Sequence, residues 1–143
     1  MKRILLIILL ITAILSCKDS KELTIPDKDL SYKDGVVLYK GKAYTGKINV
    51  KKLNDKEQFE EGFVTLKNGH LDGITELKNE KVGTYFKFNV KDKRLEGEYI
   101  LEHPKIGDLT MSFQDGLLKR LNGKFPNDIR QEFIIDKNGN VNG

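Results

Sequence analysis

The chain has 143 residues, 25 Lys and Arg against 21 Asp and Glu, a formal charge of +4, two histidines, one cysteine and no tryptophan. That length suits one domain or two small ones. A single cysteine excludes an intramolecular disulfide framework, and charges of both signs, interspersed, exclude the clustered Lys/Arg footprint of a nucleic-acid binder.

The first stretch is the most informative. Lys2 and Arg3 precede an apolar run over residues 4–15, broken only by Thr12. About a dozen apolar residues fit the core of a secretory signal. A membrane-crossing helix needs about 20, and Lys18, Asp19, Lys21 and Glu22 follow at once. An uncleaved short anchor is the competing reading. Without residues 1–16, 127 remain, and the formal charge falls to +2 because Lys2 and Arg3 leave with the signal.

Ile14-Leu15-Ser16-Cys17 resembles a bacterial lipobox. The resemblance implies cleavage between Ser16 and Cys17, thioether lipidation of the Cys17 sulfur and acylation of the new amino terminus. Several acyl chains, at about 0.8 kcal/mol per buried methylene, hold a protein on a membrane where one does not. The implied location is the cell envelope, lipid-anchored. In a bacterium with two membranes it is the outer membrane or the cell surface, because Lys18 replaces the aspartate that resembles an inner-membrane retention signal.

Residues 17–33 read as a flexible, lipid-anchored tether. Charged residues, among them Lys18, Asp19, Lys21, Glu22, Asp27, Lys28 and Asp29, dominate them, and Pro26 interrupts any helix. A surface-export signal is the alternative for this segment.

Residues 34–143 read as one all-β domain. Val36-Val37-Leu38-Tyr39 is a predicted strand, followed by a turn at Lys40-Gly41. Residues 53–61 hold one weak helical window. Phe63-Val64-Thr65-Leu66 leads into Asn68-Gly69, a strong hairpin signal. Val82, Thr84, Phe86, Phe88 and Val90 alternate with other residues, as do Leu109, Met111 and Phe113. A period of two marks strands with one buried face. Asn138-Gly139 gives a last hairpin. The small apolar content predicts a thin sheet with one modest apolar face.

The turns repeat. Gly41-Lys42-Ala43-Tyr44-Thr45-Gly46 is matched by Gly69-His70-Leu71-Asp72-Gly73, by residues 92–97 without the first glycine, by a stretched copy over residues 115–123, and by the final five residues. The closing glycines recur every 20–27 residues or so, a period that signals a repeat architecture. A lone hairpin cannot bury its own face, so its neighbours must stack against it.

Residues 34–46 resemble the opening unit of bacterial MORN-like repeat proteins of the second variant type, and Lys67-Asn68-Gly69-His70-Leu71-Asp72-Gly73 is similar to their recurring step. The resemblance implies a meandering antiparallel sheet of stacked hairpins. It also implies a secreted or lipid-anchored protein, in some members an antitoxin component, and it carries no catalytic residues with it.

Candidate chemistry is sparse. His70 and His103 are far apart, and no Cys/His pair has metal-ligand spacing. Both read as solvated turn residues. Glu57, Glu60 and Glu61 cluster, and Glu96, Glu98 and Glu102 share one parity, which is the pattern of a solvated strand face. Tyr32, Tyr39, Tyr44, Tyr85 and Tyr99 form either a binding stripe or padding for a thin core. The expectation is a non-enzymatic, membrane-anchored module without a cofactor or metal, meeting an unknown protein or envelope polymer. A toxin-neutralising partner and a carboxylate-dependent envelope hydrolase are the alternatives.

Overall fold

The computed structural model describes residues 22–51 and 61–143. The lipobox, with Ser16 and Cys17, and all of the helical window except Glu61 lie outside the described residues.

The domain is all-β. A 12-stranded sheet runs β1 (Leu23–Ile25), β5 (Gly46–Lys51), β6 (Glu61–Lys67), β8 (Gly73–Asn79), β9 (Thr84–Lys91), β11 (Gly97–His103), β12 (Gly107–Gln114), β13 (Leu117–Lys124), β14 (Arg130–Ile135) and β15 (Val141–Asn142). Two-residue strands β7 (His70–Leu71) and β10 (Arg94–Leu95) pair with β6 and β9. A small antiparallel sheet holds β2 (Leu30–Lys33), β3 (Val36–Tyr39) and β4 (Lys42–Ala43).

The expected antiparallel meander holds from β5 onward, but β1 joins β5 in parallel, so the long sheet is mixed. This corrects the flexible tether for the described part of residues 17–33, where β1 and β2 lie. Leu23 is buried against Ile48, and Leu30 packs on the same cluster. A few apolar residues at suitable spacing outweigh the charged composition of the segment. Residues 23–25 and 30–33 thus belong to the folded sheets, although their composition reads as a tether. Val82 is also reassigned: it lies in the turn between β8 and β9, where the Asn79 side chain accepts the amides of Lys81 and Val82.

The repeat unit is a strand, a two-residue turn, a two-residue return, a break, and a second long strand beginning with glycine. Lys40-Gly41, Asn68-Gly69, Asp92-Lys93 and Asp115-Gly116 all place both turn residues at positive φ. This is the primed turn that suits twisted strands. The fourth copy departs from the others: β13 runs on without a break, and a bulge at Ser112/Phe113 absorbs the extra residue.

Register puts one apolar row on one face. It runs from Leu23, Ile48 and Val64 through Leu77, Phe86, Tyr99 and Leu101 to Met111, Leu121 and Phe133. The small sheet covers its beginning, where Val37 and Tyr39 pack on Leu23, Tyr44, Ile48 and Leu66. Further along, Tyr99 lies 5.1 Å from the Phe86 ring and 6.4 Å from that of Phe113. The core is as thin as composition suggests: among the described residues no large side chain is fully buried.

Candidate binding surface

The opposite face of the long sheet is polar, and ion pairs cross it between strands. Lys78 Nζ lies 2.6 Å from Glu61 and 2.9 Å from Glu80, which holds the lysine well above its ordinary range. Lys87 meets Glu76 at 3.9 Å. Lys47 sits over the Phe63 ring at 4.5 Å. Aliphatic side chains interrupt this face, among them Ile74 at 45%, Leu117 at 62% and Ile134 at 47% exposed.

The histidines take up positions in and beside turns. His70 is exposed on β7. His103 Nδ1 accepts the Lys105 amide at 3.1 Å and closes the β11–β12 turn. Among the described residues, no group of three or more His, Cys, Asp or Glu side chains is placed to hold a metal.

The carboxylate cluster divides. Glu98 and Glu102 share the polar face of β11, but Glu96 precedes the break at Gly97 and caps the neighbouring turn instead. Its carboxylate accepts the Asp115 amide at 2.8 Å. Strand parity does not carry across a break. Glu57 and Glu60 lie outside the described residues.

The tyrosines form no stripe. Tyr39 and Tyr44 pack edge-to-face in the core, and Tyr99 joins the aromatic row. Tyr85 stands on the polar face, where burial and then the Glu76 and Glu102 carboxylates push its phenol up. Tyr32 is 74% exposed at the small sheet.

Nothing in the sequence pointed to a cleft on the polar face. It is shallow and open, with a volume of about 550 Å³ over β12, β13 and β14. Asp108, Lys124 and Arg130 form one cross-strand row, and Thr110, Asn122 and Glu132 form the next. Arg120 grips Glu132 through Nε at 2.7 Å and through a second nitrogen of the same guanidinium. Asp108, Lys124 and Arg130 make no ion pair among the described residues. A second cavity of about 480 Å³ lies at the seam between the two sheets and is lined mainly by apolar residues, including Val37, Ile48, Val64 and Leu66.

In comparison with known proteins, no family model, no curated protein and no solved structure matches the chain.

Proposed function

We propose that the chain is a lipid-anchored protein of the bacterial cell envelope whose MORN-like repeats form a non-enzymatic interaction module for a protein or an envelope polymer. The observation that carries this reading is the open polar face of the long sheet, with a cleft of about 550 Å³ and exposed Ile134 on neighbouring β14. Ligand pockets occupy about 300–1,000 Å³. The anchor half is supported by Ser16-Cys17 at the end of the apolar run and by Cys17 being the only cysteine. The MORN-like assignment is supported by the recurring turn, short return and glycine-initiated strand.

The test uses the full-length chain in a bacterial host. Labelled palmitate should enter the wild type and not Cys17→Ala, and the wild type should sediment with membranes. Label that persists in Cys17→Ala overturns the anchor. In detergent, cross-linking to envelope material should fall when Lys124 and Arg130 are both replaced by Glu. Unchanged cross-linking overturns the role of the polar face.

A further inference from the structure

We infer that the cleft on β12–β14 is a site for an acidic saccharide unit, its carboxylate held between Lys124 and Arg130 and its hydroxyls on Asp108, Thr110 and Asn122. This rests on the interaction-module reading and names the class of ligand.

Charge comes first. Lys124 and Arg130 are direct cross-strand partners, so their Cα atoms stand about 5 Å apart. Like charges directly opposite destabilise a sheet. Among the described residues neither cation makes an ion pair: Glu132 is held by Arg120, and Asp108, opposite Lys124, is not within ion-pair distance of it. An anion seated between them relieves that repulsion. A carboxylate fits the pair well, taking the planar fork of the guanidinium on one side and the ammonium on the other.

Asp108 narrows the choice. It is the cross-strand partner of Lys124 on the other side. Its carboxylate only accepts hydrogen bonds, so the part of the ligand beside the anion must bring O–H donors. Thr110 and Asn122, in the adjacent row, make no side-chain hydrogen bond among the described residues and can both donate and accept. A sugar acid carries a carboxylate and neighbouring hydroxyls on one rigid ring. A phosphate dianion or a run of acidic side chains would bring Asp108 more negative oxygen instead.

Size agrees. Three strands span about 10 Å, and rows two residues apart are about 7 Å apart. That area suits one or two sugar rings.

The experiment titrates the full-length chain in detergent with tetragalacturonate, maltotetraose and decaglutamate, followed by calorimetry. Tetragalacturonate should bind saturably and the other two at least tenfold more weakly. Lys124→Gln and Arg130→Gln should each weaken binding at least tenfold. Asp108→Asn should weaken it several-fold, whereas a site that merely attracts anions would gain from losing that charge. Absence of saturable binding, tighter binding by Asp108→Asn, or equal binding of decaglutamate overturns the inference. Unfolding midpoints of the variants, whose side chains are all exposed, confirm that each remains folded. Repeating the titration with Cys17→Ala separates the two readings: binding that survives without palmitate supports the cleft whatever becomes of the anchor.

Discussion

The Gly69 amide donates to the Tyr44 carbonyl at 2.7 Å, and the Gly69 carbonyl accepts the Val37 amide at 2.9 Å. Through these two bonds the tip of the β6–β7 hairpin docks onto the preceding repeat. The Asn68 amide adds a third, to Thr45 Oγ1 at 2.9 Å. Two repeats further on, the Gly116 amide donates to the Leu95 carbonyl at 3.1 Å, and the Asp115 amide to Glu96. Thr45 and Glu96 both stand just before the closing glycine. The same position thus caps the next turn in two repeats.

Gly69→Ala should break this joint. A Cβ there would lie 2.3 Å from Val36 Cγ1 and 2.8 Å from the Val37 carbonyl oxygen, at φ +77°. We expect a loss of about 2–4 kcal/mol, from overpacking together with left-handed strain. Urea unfolding followed by circular dichroism measures it. A loss below about 1 kcal/mol would mean that the two sheets are held together without this contact.

Lys93 stands at φ +64° in the turn position that Gly41, Gly69 and Gly116 occupy in the other repeats. A side chain in that region costs about 1–2 kcal/mol, offset by the greater chain entropy of glycine when unfolded. Lys93→Gly should therefore stabilise the domain by about 0.5–1 kcal/mol, seen as a higher unfolding midpoint at unchanged slope.

Thr75 is only 2% exposed, and its hydroxyl has no hydrogen-bond partner among the described residues. It is paired with Phe88 across β8 and β9. A buried, unpartnered hydroxyl costs about 1–3 kcal/mol. Thr75→Val keeps the shape and removes the hydroxyl, so it should raise stability by about 1 kcal/mol. A drop in midpoint on substitution would show that the hydroxyl is satisfied in solution.

The elements most legible in the sequence were those with strong local signals. Alternation marked β9 and β12, and Asn68-Gly69 and Asn138-Gly139 marked their turns, because a period of two and a need for positive φ are local properties. Leu23 and Leu30 carried no such signal. Their place depends on Ile48 and Tyr39, which they meet only after the chain has turned back. The cleft was illegible for the same reason. Asp108 and Arg130 are separated by 22 positions, and only the register of β12, β13 and β14, shifted by the Ser112/Phe113 bulge, brings their rows together. Glu96 shows the reverse failure: a local parity was carried through a break that resets it.

Alkaline pH should act through the buried tyrosines. Burial first, then Glu22 and Tyr39, raises the Tyr44 phenol above its ordinary value of 10.0, and burial alone raises Tyr99. Both groups ionise sooner in the unfolded chain. Their contribution is complete below pH 10 and is lost as pH rises toward the folded value. Stability should thus fall above about pH 10. Tyr44→Phe gives up the hydroxyl's bond to the Lys47 carbonyl at 3.2 Å, about 1 kcal/mol at neutral pH, but should lose less on going from pH 9 to pH 11. An equally steep decline in the variant would assign the effect to other groups.

The parallel seating of Leu23 on β5 also sets a length. Only five residues lie between Cys17 and Leu23, and the six Cα–Cα steps, even fully extended, reach about 20 Å. If Cys17 carries lipid, the first strand of the long sheet stays within about one headgroup layer and a few water layers of the bilayer. The leash then fixes only the β1 edge: the cleft on β12–β14 lies six to eight strands further along the sheet, roughly 30–40 Å away at about 4.8 Å per strand, so the tilt of the sheet sets how far from the lipid a captured ligand is held.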